Sequence, residues 1–428
     1  MAEAAGSQAD TSACGVPRAI SGRVRIILVL LAHYTIDFIS FVIIPLMPIL
    51  EGRLALTPGQ TAMLLGAGSV SSGLIQPLAA LYCDKYSTRA PAWFGLIAAG
   101  ASIGLVGHVG SFWQLLAIQV IGTAGIGAFH PPAAAVVGHL AGARRSTAIA
   151  MFYISGMLGG VSGNALSPRL VKWTSIESLL WLIAPALIAA VVVYFAIARV
   201  EHGHGHARDS HRALPARERS ARWGAIVLLY LGNATRFIVN MMMVHLLIRW
   251  ALTRELTLSG EAVPSEAVRD AASQVNGWLQ ASMQVGMAVG GLLSAFVITP
   301  RLEKRALVLV PLLGAVAIMF VPSTGVLVPA MLLSIVAGLG FGGVLPVTMS
   351  LAQRLLPHRT SLATGLMLGG AWSVAAIGPT LAQWLIDGVG QQGAFNATAR
   401  LLAASALLSL LLPGALIIRT AETDAPRS

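Results

Sequence analysis

The chain has 428 residues, of which 56% are hydrophobic and 11% are charged, and its mean hydropathy is +0.77. A soluble core cannot use so many apolar residues, so the composition predicts an all-α polytopic membrane protein. The formal net charge of +11 raises nucleic-acid binding as an alternative, which the placement of the basic residues must decide. The first 22 residues contain no apolar core, so no cleavable signal peptide is predicted.

Hydropathy divides the chain into twelve predicted membrane-spanning helices. They cover residues 24–50, 58–83, 90–108, 112–140, 146–171, 177–199, 223–252, 271–299, 304–322, 325–352, 360–386 and 396–418. The one long polar stretch between them separates two sets of six. The predicted organisation is therefore a tail (1–22), a first half (23–199), a linker (200–222), a second half (223–418) and a second tail (419–428).

The basic residues are concentrated in alternate loops, on the side that carries both termini. Of the 28 Lys and Arg residues, 20 fall on the side of both termini, seven fall on the opposite side, and Arg236 alone lies inside a span. The positive-inside rule therefore predicts a protein of the bacterial inner membrane with both termini in the cytoplasm. The basic charge orients the chain in a lipid bilayer, and no nucleic-acid partner is predicted.

The first span carries one carboxylate, Asp37, in an otherwise apolar run. A charged group near the middle of a membrane helix costs about 2.5 to 3.5 kcal/mol, and such residues are usually functional. His33 lies one turn earlier on the same helix face, where it can help Asp37 to bind a proton. Pro45 and Pro48 interrupt the helical hydrogen bonding further along and predict a hinge.

Internal similarity relates the two halves. A shift of 215 residues aligns GIGAFHP, which starts at Gly125, with GFGGVLP, which starts at Gly340, and pairs Pro131 with Pro346 as further hinge candidates. A shift of 199 residues aligns Asp37 with Arg236. Parallel halves with a site between them are typical of rocking transporters. Arg236 is predicted to compensate Asp37 or to hold an anionic substrate, and a static salt bridge is the alternative.

Other polar residues at membrane depth are candidates for the same site. His130 precedes two prolines in the fourth span, and either a role in the site or simple packing fits it. The remaining candidates for substrate contact are Asn240, Gln280 and Gln284. In the linker, His202, His204, His206 and His211 suggest a metal-binding tract, although glycine-spaced histidines in a basic loop are more often unspecific.

The loop between the second and third spans, ALYCDKYSTR from Ala80 to Arg89, resembles the major facilitator superfamily pattern G-x-x-x-D-[RK]-x-G-[RK]-[RK]. Asp84, Lys85 and Arg89 fit this pattern, whereas Ala80, Ser87 and Thr88 depart from it. In that superfamily the charges of the loop lock the cytoplasmic ends of neighbouring helices in one state. The resemblance therefore implies a cytoplasmic gate in which Asp84 pairs with a basic residue.

Within the superfamily, the chain is similar to the fosmidomycin resistance branch of drug efflux proteins. Four stretches carry this likeness: HYTID with PLMP in the first span, LIQPL in the second, GAFHPPA in the fourth and LPVTMSLAQRLLP in the tenth. The branch has acidic residues at two positions where this chain has Pro132 and Arg354. The resemblance implies antibiotic resistance by antiport, without a proton role for an acid in the fourth span.

These observations predict a monomeric secondary transporter that exports a small polar or anionic compound, either a drug or a metabolite, in exchange for protons. Uptake or uncoupled exchange of an organic anion is an alternative within transport, and a non-transporting receptor or scaffold is a second alternative. The sequence contains no P-loop and no catalytic or zinc motif, so neither an enzyme nor a cofactor is predicted.

Overall fold

The computed structural model describes residues 21–86, 88–197 and 215–424. Regular structure in these residues is helical, with no strand. Most of the predicted linker, including its four histidines, lies outside the described residues, as do the first 20 residues and the last four.

In the described residues of the first half, seven α-helices form six spans. They are α1 (Gly22–Ser40), α2 (Met47–Arg53), α3 (Pro58–Lys85), α4 (Arg89–Gly104), α5 (Phe112–Ala141), α6 (Arg145–Trp173) and α7 (Ile183–Ala196). The predicted first span is interrupted at residues 41–46 and continues as α2, with Pro48 in the first turn of α2, where its missing amide proton costs nothing. Thr57 and Gln60 form a capping box at the start of α3.

The second half has more interruptions. Its helices are α8 (Ala216–Ser259), α9 (Glu266–Val297), α10 (Glu303–Phe320), α11 (Leu327–Gly342), α12 (Leu345–Leu355), α13 (Thr360–Gly365), α14 (Ala371–Ala375), α15 (Ile377–Leu410) and α16 (Gly414–Asp424). A π-helical turn, Leu366–Gly370, joins α13 to α14. Gly390 has φ +74° inside α15, a left-handed conformation that glycine adopts without strain, and it separates the eleventh span from the twelfth.

Nine helices of the described chain are long and apolar enough to cross a membrane. Three further spans complete the twelve. The first is divided between α1 and α2, the eighth is α9, which has polar side chains along one face, and the eleventh and twelfth are counted together as one run. The predicted twelve-helix fold with two related halves is thereby confirmed.

The related fourth and tenth spans differ in one respect. Pro131 lies inside the continuous helix α5, whereas Pro346 lies at the start of α12, directly after the interruption that follows α11. Gly342 ends α11, and Gly343 lies within this interruption. Only the second-half copy is therefore broken at its proline.

The two halves meet along small residues. A Cβ atom added to Gly66 of α3 would lie 2.6 Å from the Ala376 oxygen, and one added to Gly277 of α9 would lie 2.6 Å from the Asn164 oxygen of α6. Neither position has room for a side chain. Spans 2 and 11, and spans 5 and 8, are thus in direct backbone contact, as small residues allow in membrane helix pairs.

Candidate functional site

The Asp37 carboxylate lies between two imidazoles inside the first half. Asp37 and His33 are 6% and 3% exposed, and one helical turn of α1 sets His33 Nε2 3.4 Å from Asp37 Oδ2. From α5, His130 Nε2 lies 3.2 Å from Asp37 Oδ1. The structure therefore brings together three of the predicted site residues, and the histidines offset the cost of burying the carboxylate.

Backbone carbonyl groups fix both imidazole rings. His33 Nδ1 lies 2.8 Å from the Phe152 oxygen of α6, and His130 Nδ1 lies 2.7 Å from the Ile126 oxygen of its own helix. The ring of His33 also stacks on Phe152, with the centroids 3.7 Å apart. The His130 side chain remains 27% exposed, so it connects the buried carboxylate to accessible space.

Gly156 of α6 makes room for this cluster. A Cβ atom at this position would overlap Asp37 Oδ2 and would lie 2.7 Å from His33 Nε2, a separation that real Cβ atoms do not show. The sequence of the fifth span contains several glycines. Their pattern does not single out Gly156 as a residue of the site, because its importance depends on the contact with α1.

We expect Gly156→Ala to destabilise the protein by about 1 to 3 kcal/mol, the usual cost of overpacking, and to disrupt the Asp37 cluster. Gly224→Ala is the matched control, since a Cβ atom there meets nothing within 4 Å and alanine favours a helix. Thermal unfolding in detergent measures both. Equal melting temperatures of the two variants would contradict the close packing at Gly156.

Among the described residues, Arg236 of the second half has no carboxylate partner. It is 1% exposed, its Nη2 donates to Thr348 Oγ1 at 3.0 Å, and its Nε and Nη1 have no hydrogen-bond partner in the described part of the chain. Asp37 pairs with the two histidines instead, so the predicted contact between Asp37 and Arg236 is absent from this conformation. A buried guanidinium group with two free nitrogen atoms is suited to binding an anion.

Two predicted amide residues have only weak acceptors. Asn240, one turn after Arg236, donates to the Met287 sulfur at 3.4 Å, and Gln284 of α9 donates to the Met157 sulfur at 3.3 Å. A thioether is a weak acceptor, so both amides can donate to a better one. Gln280 is different, because it donates to the Val244 oxygen at 2.9 Å and to Asn276 Oδ1 at 3.1 Å.

The interrupted first span is fixed by the second half. Ser273 and Asn276 of α9 donate to the Pro45 and Ile44 oxygens at 2.9 and 3.0 Å, and Arg269 donates to the Pro48 oxygen at 3.3 Å. The Ile44 and Pro45 carbonyl groups lie in the interruption, where helical amide partners are missing. Polar side chains of α9 replace those partners, and hinge roles for Pro45 and Pro48 stay a prediction.

A buried ion pair joins the halves at the same end. Glu51 of α2 pairs with Arg249 of α8 and accepts a hydrogen bond from Thr61 at 2.6 Å. Both charged residues are at most 9% exposed. In sequence, Glu51 and Arg249 lie at span edges and carried no predicted role. The interruption before α2 places Glu51 against α8 of the second half. A sequence pattern of continuous spans does not predict this contact.

The predicted gate loop lies at the opposite end. Asp84 and Lys85 end α3, and Arg89 begins α4. The Nε of Arg89 donates to the Ile197 oxygen at 3.0 Å, and its guanidinium group lies over the Tyr194 ring at 4.8 Å. The pairing of Asp84 stays a prediction.

Arg354 has an acidic partner in the structure. It stands where the resembling branch has an acid, and it pairs with Glu303 at the start of α10. No role was predicted for Glu303, which lies within the basic loop from Arg301 to Arg305. Its negative charge, opposite to that of Arg354, was the available signal.

Twelve helices in two related halves, with ionisable groups buried at membrane depth in each half, define a membrane transporter. The family model of the Major Facilitator Superfamily matches residues 29–264, more than half of the chain. The chain belongs to this superfamily, which consists of transporters rather than enzymes.

Relatives and solved structures support this assignment. The fosmidomycin resistance protein of Escherichia coli (strain K12) is 28% identical over 190 residues, 44% of this chain and 45% of that protein. The uncharacterized MFS-type transporter YfnC of Bacillus subtilis (strain 168) is 25% identical over 394 residues, 91% of this chain and 92% of that protein.

A bacterial homolog of the human lysosomal transporter Spinster, solved in an inward-facing and unoccupied conformation, has a TM-score of 0.66 at 16% identity, over 96% of this chain and 98% of that chain. Its occupied form has a TM-score of 0.63 at 16% identity, over 94% and 97%. These likenesses concern the fold.

Proposed function

We propose that the protein is a proton-coupled secondary transporter of a bacterial inner membrane, with both termini in the cytoplasm, and that it exports a small polar or anionic compound by alternating access. The observation that carries the proposal is the buried Asp37 carboxylate between His33 and His130. Its surroundings can hold a proton at membrane depth, a typical function of intramembrane carboxylates.

Proton and substrate use different halves in this account. Asp37 and its histidines lie in the first half, whereas Arg236 and Asn240 of α8, with Gln284 of α9, form a group of donors in the second half. This group offers unpartnered or weakly partnered N–H groups, which match an anion such as a carboxylate or a phosphonate. The likeness to a fosmidomycin resistance protein over 190 residues supports a drug or a related metabolite as cargo.

The proposed cycle alternates access between the two faces. In the outward-open state, Asp37 with its histidines takes a proton and the substrate leaves. After the halves rock, substrate binding at Arg236 releases the proton to the cytoplasm. The Glu51 and Arg249 ion pair closes the outer face during the second stage, and the Asp84 loop closes the inner face during the first.

We expect Arg236→Gln to abolish stabilisation by an anionic substrate. A ligand at 100 times its Kd adds about 2.7 kcal/mol of stability, and the variant should lose this gain while its unliganded melting temperature does not fall, since a buried uncompensated charge is removed. The measurement is thermal unfolding with fosmidomycin and a panel of small phosphonates and carboxylates. Arg254→Gln, near the C-terminal end of α8, is the control. An unchanged ligand-induced shift in the melting temperature of Arg236→Gln would exclude the anion site.

Transport by the purified wild-type protein in vesicles tests the proposed function. A compound selected by thermal stabilisation should move against its own gradient when a pH gradient is imposed, with protons moving in the opposite direction. Flux that ignores the pH gradient would favour the alternative, uptake or uncoupled exchange of an organic anion. Absence of counterflow for every stabilising compound would instead indicate a receptor or scaffold.

A further inference from the structure

Three side-chain donors converge in the first half in the arrangement of a metal site. One ring nitrogen of His33, one of His130 and one Asp37 oxygen lie within 4.8 Å of one another. The two nitrogen–carboxylate separations are 3.4 and 3.2 Å. In a tetrahedral zinc site with bonds of about 2.1 Å, neighbouring ligand atoms are about 3.4 Å apart. His33 Nε2 lies at about this distance from Asp37 Oδ2, and His130 Nε2 lies slightly closer to the other carboxylate oxygen, Oδ1.

The carbonyl contacts orient the free nitrogen atoms toward the carboxylate. A carbonyl oxygen only accepts, so the contacts of both Nδ1 atoms, at 2.8 and 2.7 Å, place a hydrogen on each Nδ1. When the cluster holds no proton, the Nε2 atoms therefore direct their lone pairs toward Asp37, and His33 Nε2 has no hydrogen-bond partner among the described residues. Metal-binding histidines have this same arrangement, in which the second ring nitrogen donates to a carbonyl group.

We propose that His33, Asp37 and His130 bind a divalent transition-metal cation of the Zn²⁺ class. Two imidazoles and one carboxylate suit Zn²⁺, whereas Mg²⁺ and Ca²⁺ require oxygen ligands. Three protein ligands leave a fourth position open. The bound cation occupies the groups that hold the proton and joins α1 to α5, so it blocks transport; this consequence, unlike binding itself, rests on the proposed function.

Binding is measured on the purified full-length protein, without transport, by calorimetry with Zn²⁺ and by visible absorption with Co²⁺. The parent protein and every variant in this experiment carry the substitutions His202→Gln, His204→Gln, His206→Gln and His211→Gln. These substitutions remove the linker as a competing metal site. We expect one equivalent of Zn²⁺ to bind and Mg²⁺ not to compete, and we expect tetrahedral absorption from Co²⁺. His130→Gln should weaken Zn²⁺ binding by about 100-fold or more. His139→Gln, an exposed histidine of the same helix, should not.

His130→Cys keeps the proposal testable if His130→Gln fails to fold, because a thiolate is also a zinc ligand. This variant should retain Zn²⁺ and add a sulfur-to-cobalt band to the Co²⁺ spectrum. Loss of binding on replacing the linker histidines alone, equal binding by His130→Gln and the parent, or a His130→Cys spectrum without the sulfur band would overturn the proposal.

The proposed transport function is tested separately by Asp37→Asn in vesicles. Zn²⁺ binding at the cluster combined with unchanged proton coupling in Asp37→Asn would support the metal site and exclude the proton role. Loss of proton coupling in Asp37→Asn, combined with no Zn²⁺ binding to the parent protein, would support the proton role and exclude the metal site.

Discussion

Asp37→Asn should abolish proton-driven accumulation while leaving substrate exchange intact. The amide has nearly the same shape as the carboxylate, and its NH2 group can donate a hydrogen bond to His130 Nε2, so the fold should persist. It cannot take up the coupling proton. With one proton exchanged per substrate, a gradient of one pH unit supplies about 1.4 kcal/mol, equivalent to a tenfold concentration ratio. The wild type should approach this ratio in vesicles, and the variant should reach none.

Counterflow of labelled against unlabelled substrate is the companion measurement, because it needs no proton. Asp387→Asn is the matched control. Asp387 accepts a hydrogen bond from Gln383 at 2.7 Å near the end of the eleventh span, away from the Asp37 cluster. Proton-driven accumulation by Asp37→Asn at the wild-type level would rule out the coupling role.

The second large effect concerns the ion pair between the halves. Arg249→Gln removes the countercharge of Glu51, and an unpaired buried charge costs about 3 to 5 kcal/mol. Most molecules of the variant should therefore leave the present conformation. They should adopt one in which Glu51 is hydrated and the two halves are separated at the end that carries the ion pair. The double variant Glu51→Gln with Arg249→Gln should recover most of the loss, since it leaves no charge behind.

Spin labels report this shift directly. Cysteines at Gly59 and Leu258, introduced after replacement of Cys14 and Cys83, lie in exposed positions of the first and second halves near the ion pair. Their separation should increase in Arg249→Gln and return in the double variant. Arg53→Gln is the control, because Arg53 pairs with Glu177 within the first half. An unchanged separation in Arg249→Gln would show that this pair does not hold the face closed.

The part of the site that depends on helical spacing could be predicted from sequence. His33 and Asp37 are four residues apart, so one helix turn brings them together. The contact of His130 with Asp37 joins residues 93 positions apart, and no local pattern contains it. The repeat places Asp37 and Arg236 at corresponding positions of the two halves, and both residues are buried in the structure. Corresponding positions in a repeat, however, do not imply contact between the residues that occupy them.

The number of spans was predictable because each long apolar segment must cross the bilayer as a helix. The interruptions within the spans were less predictable. Pro45 and Pro48 indicated a bend in the first span, but the ordered break at 41–46 depends on α9 side chains such as Ser273 and Asn276 that replace the lost hydrogen bonds. Likewise, the seventh span begins with α8 at Ala216, inside the predicted linker. The twelfth span ends with α15 at Leu410, before the separate helix α16.

Proton release on substrate binding is the most direct measure of coupling between Arg236 and Asp37. The purified protein in weakly buffered detergent solution, with a pH indicator, should release protons when a stabilising substrate is added, because binding at Arg236 favours the state in which the Asp37 cluster gives up its proton. We expect release from the wild type and none from Asp37→Asn, with substrate binding retained in both. Equal proton release from the two proteins would contradict this coupling.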